Sequence, residues 1–259
     1  MEINKIYNEN CLDTMSRMND NFIDLTVTSP PYDNLRTYNG YSFDFESIAK
    51  ELFRVTKEGG VVVWVVGDAT IKGSETGTSF RQALYFMECG FRLHDTMIWT
   101  KEQLAFPDKN RYYNGFEYMF ILSKGKPKSI NLIADKKNRA FGRFVDNSGE
   151  RKKDGTIRKK RSCAGNPIKE FGVRWNYWLM YNQSRGLHSK HPATFPEQLA
   201  NDHIISWSNE GDLVYDCFMG SGTTAKMAKL NNRDYIGSEM SEEYCNIIKQ
   251  RLDSLGKLF

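Results

Sequence analysis

Two short segments carry the residues best suited to chemistry. Residues 28–32 read Thr-Ser-Pro-Pro-Tyr and follow an alternating run that begins at Ile23. Consecutive prolines hold a hydroxyl and an aromatic ring on a loop that needs little reorganisation during a reaction. Taken alone, this segment is also typical of a plain turn after a strand. Residues 216–224, Asp-Cys-Phe-Met-Gly-Ser-Gly-Thr-Thr, form the second segment, a glycine-rich turn shaped to hold a nucleotide-like ligand.

The second segment has the spacing of a nucleoside-binding turn. Gly220, Gly222 and Ala225 fit the pattern G-x-G-x-x-G/A, in which glycines let the backbone approach the ligand closely. Glu239 ends the next predicted strand, where its carboxylate can accept both hydroxyls of a ribose. No Lys-Ser or Lys-Thr pair follows the glycines, so the turn is not a Walker A loop.

The turn lies unusually late in the chain. A nicotinamide-binding dehydrogenase usually opens with this unit and continues for several more strands. Here only residues 225–259 remain, which suffice for one more strand. The sheet must therefore be completed by strands that come earlier in the sequence, and the order of elements is circularly permuted.

The remaining periodicity predicts the elements that position both segments. Alternating strands and helices indicate a doubly wound α/β sheet, in which the run Gly60–Gly67 is a strand buried on both faces. The predicted strands cover residues 23–28, 60–67, 91–100, 118–123, 213–215 and 234–237. The predicted helices cover residues 43–55, 78–89, about 196–205, 223–230 and 242–255.

Composition excludes several classes of protein. The 259 residues, 40% of them hydrophobic, fit one α/β domain with an insertion. No apolar run is long enough to span a membrane, and the first residues do not form a signal peptide, so we expect a cytoplasmic protein without a membrane partner. The five scattered cysteines predict neither a disulfide framework nor a zinc site, and we expect no metal.

The middle of the chain is strongly basic. Residues 136–161 contain eleven lysines and arginines against three acidic residues, the pattern expected for phosphate contacts. The alternative is a solvated loop. We interpret Trp175 and Trp178 as anchors of this insertion to the core rather than as stacking platforms. The predicted DNA-binding residues are Arg36, Lys152, Lys153, Arg158, Lys159, Lys160, Arg161 and Arg174.

Both motifs resemble those of one family. Ser29-Pro30-Pro31-Tyr32 resembles the catalytic loop of amino-group DNA methyltransferases, and Asp216-x-Phe218-x-Gly220-x-Gly222 resembles their S-adenosylmethionine loop. Catalytic loop first and cofactor loop last is similar to the β class. The resemblance implies a circularly permuted, Rossmann-like methyltransferase fold in residues 1–130 and 190–259, with a target-recognition insertion at 131–189. It implies S-adenosylmethionine as cofactor and double-stranded DNA as substrate. It is also consistent with a homodimer, and with an enzyme that acts either beside a cognate restriction endonuclease or alone.

The resemblance also assigns roles to residues. The Ser29 hydroxyl and the Pro30 carbonyl would accept the N–H groups of the target amine, Pro31 would stiffen the loop, and Tyr32 would stack on a flipped base. Asp13 would contact the cofactor adenine. The other implied cofactor-binding residues are Asp216, Phe218, Gly220, Ser221, Gly222, Thr223, Thr224 and Glu239.

Two further segments are weaker candidates. His191-Pro192-x-x-Phe195-Pro196 resembles the segment that packs around the methionine end of the cofactor, although a helix-initiating proline explains it equally well. Asp68 follows a predicted strand at the edge where doubly wound sheets bind ligands.

Within the family, serine at the first loop position usually accompanies methylation at N4 of cytosine, and aspartate accompanies N6 of adenine. Ser29 therefore favours cytosine and leaves adenine as the alternative. Three other functions stay open from the sequence. They are methylation of RNA or a protein amide, a non-catalytic DNA-binding module on the same fold, and a nicotinamide-dependent oxidoreductase.

Overall fold

The computed structural model describes residues 1–31, 43–101, 109–145, 152–156, 165–181 and 195–255. Every strand and helix predicted from the sequence is present, with ends that differ by a few residues. In chain order the elements are β1 (Lys5–Tyr7), α1 (Cys11–Ser16), β2 (Ile23–Thr28), α2 (Phe45–Val55), β3 (Thr56–Val66), β4 (Thr70–Ile71), β5 (Ser74–Glu75), α3 (Thr78–Glu88), β6 (Arg92–Thr100), β7 (Phe116–Ser123), β8 (Lys136–Lys137), β9 (Phe171–Gly172), β10 (Tyr177–Leu179), α4 (Glu197–Trp207), β11 (Leu213–Asp216), α5 (Thr223–Leu230), β12 (Asp234–Ser238) and α6 (Glu242–Leu255).

Eight strands form one sheet in the order β1-β12-β11-β2-β3-β7-β6-β10. All neighbours are parallel except the two pairs that include β7. Strands β11 and β12 come from the end of the chain, yet β11 lies beside β2 from its beginning. The predicted circular permutation is therefore confirmed, and it places the segments that follow β2, β11 and β12 at one edge of the sheet.

The strand β3 lies in the interior of the sheet, and both of its faces are covered by helices. Val61, Val63 and Val65 pack in a cluster with residues of α4, α5 and α6, whereas Val62 and Trp64 pack in a second cluster with residues of α1, α2 and α3. Side chains alternate between the two faces of a strand, so one uninterrupted apolar run supplies both cores.

The chain divides into two compact units. The first comprises Met1–Asn131 and Asn176–Phe259 and contains the eight-stranded sheet, and the second is Leu132–Trp175. In the second unit β8 pairs with β9, and Phe144 forms a bridge with Pro167. The sequence placed an insertion at 131–189, and the strand β10 inside that range belongs to the sheet of the first unit. Among the described residues, no helix is long and apolar enough to cross a membrane.

Candidate active site

The glycine-rich turn links β11 to α5 and adopts a conformation that depends on glycine. Gly220 and Gly222 have φ angles of 53° and 82°, in the left-handed region that side chains disfavour. A Cβ on Gly222 would also lie 2.9 Å from the side chain of Ile248. Gly222 caps α5 without a side chain, so no side-chain oxygen of the cap occupies the first N–H groups of that helix. The turn therefore offers a backbone cradle of the kind predicted for a nucleoside.

Glu239 directly follows β12, and its side chain binds the backbone of the glycine-rich turn. One of its carboxylate oxygens accepts the Gly220 N–H at 2.8 Å and the other accepts the Ser241 N–H at 2.8 Å. Each oxygen keeps a second lone pair that a ribose hydroxyl can use. Burial raises the pKa of Glu239 above its ordinary value. The Glu239 carboxylate would therefore lie beside a nucleoside that binds to the glycine-rich turn.

Asp216 is buried where β11 ends. Its carboxylate accepts the Thr28 hydroxyl at 2.6 Å and the Phe218 N–H at 3.0 Å. Burial raises the pKa of Asp216 to about 6, although these hydrogen bonds favour its charged form. Through these two hydrogen bonds, Asp216 fixes the backbone at the start of the glycine-rich turn.

Two hydrogen bonds join the turn to the strand that carries the Ser-Pro-Pro segment. Thr28, which donates to Asp216, directly precedes Ser29. The Thr224 hydroxyl at the start of α5 donates to the Val27 carbonyl at 3.1 Å. Both bonds are buried, so they set the position of β2's last residues relative to the glycine-rich turn. The structure brings Ser29, Pro30 and Pro31 to the site, whereas Tyr32 lies outside the described residues.

The side chain of Phe218 enters an aromatic cluster beside the turn. Its ring lies 5.7 Å from that of Phe43 and 6.3 Å from that of Trp64, measured between centroids. Phe45 and Phe86 extend the cluster through further tilted and edge-on ring contacts. Such contacts hold the Phe218 backbone, and with it the first half of the turn, in place.

An ionic network that the sequence did not reveal supports the other half of the turn. Arg251 of α6 is 6% exposed and donates to both the carbonyl and the hydroxyl oxygen of Ser221. It also donates to Glu197 at 2.8 Å, which in turn accepts from Lys226 at 2.7 Å. The side chain of Ser221 is therefore bound to the protein, and its backbone lies in the turn that we predict to hold the cofactor.

The weaker sequence candidates fall in different places. Asp13 lies in the first turn of α1 and is exposed, while the side chain of Asn10 caps that helix. Asp68 accepts from the backbone and hydroxyl of Ser79 and from the Thr76 hydroxyl, so it caps α3. Pro196 directly precedes α4, as the alternative of a helix-initiating proline requires. His191 and Pro192 lie outside the described residues.

The predicted DNA-binding residues are described only in part. Lys152 and Lys153 are exposed in the second unit and form no ion pair with another described residue. The Arg174 guanidinium donates two hydrogen bonds of 2.7 Å to Asp135 and lowers the pKa of that carboxyl. The predicted contacts outside the described ranges are Arg36, Arg158, Lys159, Lys160 and Arg161.

Trp175 and Trp178 differ in their exposure to solvent. Trp178 of β10 is 7% exposed and packs in the core of the first unit, as the anchoring interpretation requires. Trp175 is 58% exposed, so that interpretation is wrong for it. The Lys136 ammonium lies 4.5 Å from the centroid of the Trp175 ring, and this cation–π contact leaves much of the indole in solvent. No group of acidic, histidine and cysteine side chains in the described ranges could hold a metal ion.

Asp216→Asn is expected to stabilise the protein at neutral and higher pH. Because the folded-state pKa is raised, the ionised carboxylate costs stability as pH rises from about 4 through about 6, and this cost persists above that range. The amide oxygen can still accept from Thr28 and Phe218. We expect the variant's free energy of unfolding in urea to exceed that of the wild type by up to about 3 kcal/mol at pH 8. The difference should vanish below pH 4.

The matched control for that prediction is Asp13→Asn, which changes an exposed carboxylate. Its effect on stability should stay small at every pH. An equal loss of stability for Asp216→Asn at pH 4 and pH 8 would contradict the assignment of a costly buried charge.

The permuted sheet, the glycine turn and the acid after the next strand define a Rossmann-like methyltransferase fold. Comparisons with known proteins agree. The sequence profile of the N6_N4 DNA methylase family matches residues 23–250, and the chain therefore belongs to this DNA methylase family.

Individual relatives support the same assignment. The orphan methyltransferase M.BamHII of Bacillus amyloliquefaciens is 66% identical over 236 residues, which cover 89% of this chain and 88% of the relative. The solved PvuII DNA methyltransferase (cytosine-N4-specific) is 22% identical, with a TM-score of 0.71 over 95% of this chain and 85% of that one. The complex of M1.HpyAVI with SAM is 21% identical, with a TM-score of 0.64 over 96% of this chain and 98% of that one. The two solved structures share the fold of this chain.

Proposed function

We propose that this enzyme transfers the methyl group of S-adenosylmethionine to an exocyclic amino group of a flipped base in double-stranded DNA, at a specific sequence. N4 of cytosine is favoured, and N6 of adenine is the alternative. The observation that supports the proposal is the pair of buried hydrogen bonds, from Thr28 to Asp216 and from Thr224 to Val27, that join the end of β2, directly before the Ser-Pro-Pro segment, to the glycine-rich turn and the start of α5.

The residues of the loop would make a weak nucleophile reactive. An exocyclic amine delocalises its lone pair into the base, and acceptors on its N–H groups return that pair to nitrogen. The Ser29 hydroxyl oxygen and the Pro30 carbonyl would be the acceptors, and the two consecutive prolines limit the rearrangement that this part of the loop needs. S-adenosylmethionine supplies a methyl group on a positively charged sulfur, which keeps the electrons of the broken C–S bond. The new N–C bond leaves a positive charge on the amine, which then releases one proton to solvent.

The donor set of the turn fits the cofactor. The left-handed backbone at Gly220 and Gly222 would let the turn approach the nucleoside closely, and Glu239 would supply acceptors for two ribose hydroxyls. The chemistry needs no metal at any step proposed here, because the leaving sulfur and the acceptor loop carry the charge changes.

We propose that the Leu132–Trp175 unit is the target-recognition part. Lys137, Arg139, Arg143, Lys152 and Lys153 are exposed there and have no ion-pair partner among the described residues. Phosphate contacts are the ordinary use of such unneutralised cations in a DNA enzyme. The relative M.BamHII is named an orphan methyltransferase, which supports a role without a cognate restriction endonuclease. The alternative is a role beside such a nuclease. We expect the enzyme to act in the cytoplasm.

The test uses purified protein, isotope-labelled S-adenosylmethionine and unmethylated genomic DNA, digested to nucleosides for mass spectrometry. Label in N4-methylcytosine is the expected result. Label in N6-methyladenine would keep the mechanism and change the base. Label that enters RNA or protein but not duplex DNA would overturn the substrate, and a protein that binds DNA without transferring label to any of them would be a non-catalytic module.

Replacing Lys152 and Lys153 together by alanine should weaken binding to all duplex sequences alike. Each phosphate contact releases about one counterion, so the slope of log affinity against log salt should become shallower by about two. Affinity for S-adenosylhomocysteine should not change. The control pair is Lys50→Ala with Lys249→Ala, two exposed lysines of the first unit. An unchanged salt slope in the first pair would show that these lysines do not contact DNA.

A further inference from the structure

Arg251 is a buried cation on the otherwise apolar side of α6. In the sequence of this helix it lies between Ile248 and Leu252, which are both buried in the core of the first unit. Burial lowers the pKa of the Arg251 guanidinium, because it disfavours the charged form. An apolar side chain of similar length would fill the same space without this cost. Core packing alone therefore does not explain an arginine at this position.

The hydrogen bonds of Arg251 are divided between two elements. Its Nη1 donates to the carbonyl and hydroxyl oxygens of Ser221 in the glycine-rich turn, and its Nη2 donates to a carboxylate oxygen of Glu197 at 2.8 Å. The remaining nitrogen, Nε, is buried and has no hydrogen-bond partner among the described residues. A buried donor without a partner costs free energy, so the contacts of this guanidinium are not optimised for stability. Its planar group instead joins the turn to the first residue of α4.

Glu197 would keep a partner if Arg251 were replaced. The same carboxylate oxygen accepts from Lys226 of α5 at 2.7 Å, and the side chain of Glu197 is partly exposed. Arg251→Met would therefore leave no buried, unpaired charge, which is the usual reason that breaking a buried ion pair is strongly destabilising. Ser221, in contrast, would lose a charged donor at both of its oxygens. The loss of Arg251 should therefore affect the turn more than the stability of the fold.

We propose that Arg251 is a positioning residue for the cofactor, which holds the backbone at Ser221 in the conformation that binds the nucleoside. The proposal rests on the proposed function, because it takes the glycine-rich turn as the S-adenosylmethionine site. Ser221 lies between Gly220 and Gly222, and backbone flanked by glycines has many alternative conformations. A fixed contact at Ser221 reduces the conformational entropy that the turn would lose on binding. Arg251 thus contributes to cofactor affinity through Ser221.

The first test is titration calorimetry with S-adenosylhomocysteine, at a temperature well below that of unfolding. Arg251→Met should raise the dissociation constant about 10-fold or more, the usual effect of losing hydrogen bonds to a charged group. The midpoint of thermal unfolding without ligand should stay within a few degrees of the wild type. Arg251→Lys keeps the charge without the planar fork, and its affinity should lie between those of the wild type and Arg251→Met. Lys249→Met removes an exposed cation of the same helix and should change neither quantity.

Kinetics separate positioning of the cofactor from a role in the chemical step. Because Arg251 acts through the turn, Arg251→Met should raise KM for S-adenosylmethionine and leave kcat within about twofold of the wild type. Wild-type affinity in folded Arg251→Met would overturn the proposal, even if the variant were less stable. If Arg251→Met does not fold, wild-type affinity in Arg251→Lys would overturn it. A wild type that does not bind S-adenosylhomocysteine would overturn the proposed cofactor site as well, so the two failures are distinguishable.

A double-mutant cycle tests the contact through which Arg251 acts. Ser221→Ala removes the hydroxyl oxygen that accepts from Arg251 at 3.1 Å and leaves the carbonyl contact in place. This substitution should weaken binding of S-adenosylhomocysteine in the wild type and add nothing in Arg251→Met, because the contact is already absent there. An equal loss in both backgrounds would mean that the hydroxyl serves the cofactor and not Arg251, and would contradict the assigned contact.

Discussion

Glu239→Ala is expected to lower the affinity for S-adenosylhomocysteine about 100-fold, which corresponds to about 2.7 kcal/mol. The variant loses the acceptor for the ribose hydroxyls. It also leaves the N–H groups of Gly220 and Ser241 without the carboxylate that they contact at 2.8 Å. Hydrogen bonds to a charged group contribute about 1.5–3 kcal/mol each, so a loss of this size requires only part of the network. Titration calorimetry measures it directly.

Two comparisons make this prediction specific. Glu239→Gln keeps one acceptor oxygen and should lose about tenfold, between the wild type and alanine. Glu242→Ala removes an exposed acid in the first turn of α6 and should bind normally. Wild-type affinity in Glu239→Ala would place the ribose elsewhere and contradict the proposed cofactor site.

The wild-type affinity should also depend on pH. Burial raises the pKa of Glu239, so protonation begins at a higher pH than for an ordinary glutamate. A protonated carboxyl is a weaker acceptor, and the affinity should therefore fall as the solution becomes acidic. Asp216 has a pKa of about 6 and titrates nearby, so the measurement belongs in an Asp216→Asn background. There, the remaining acid dependence should disappear on Glu239→Gln.

Local pattern was sufficient to predict the core of this fold. The apolar run of β3 predicted a strand covered on both faces, and its valines do supply both hydrophobic clusters. The glycine spacing predicted the turn, and Gly220 and Gly222 have positive φ angles, which glycine adopts without the steric cost of a Cβ. These features could be predicted from the sequence because each depends on residues only a few positions apart.

Contacts between segments that are distant in the sequence could not be predicted from local patterns. Arg251, Ser221 and Glu197 come from three different elements, and no local spacing relates them. One signal was present, because Arg251 interrupts the apolar side of α6 between Ile248 and Leu252. A cation on a buried stripe needs partners, which here are Ser221 of the glycine-rich turn and Glu197 of α4. The role of Asp68 was likewise hidden, since its three donors become neighbours only when α3 folds back over the end of β3.

Ser29→Ala is expected to lower kcat by about 100-fold to 1,000-fold, the usual effect of removing one preorganised polar group that acts on the reacting atoms. The hydroxyl would contact the amine and not the cofactor, so affinity for S-adenosylhomocysteine should stay within about twofold of the wild type. Single-turnover transfer of labelled methyl groups to DNA measures the chemical step apart from product release. Ser16→Ala removes an exposed hydroxyl of α1 and serves as the control.

The position of the loop gives this prediction a second test. Thr28 anchors the residue before Ser29 to Asp216, so Thr28→Val should lower kcat through misplacement, whereas Thr28→Ser keeps the hydroxyl and should retain most activity. Loss of that hydrogen bond should also raise the pKa of Asp216 further, because the bond favours the charged carboxylate. Ser29→Asp supplies acceptor oxygens at the same place and should recover part of the rate lost in Ser29→Ala. Full activity in Ser29→Ala would remove Ser29 from the reaction and leave the Pro30 carbonyl as the acceptor on the amine.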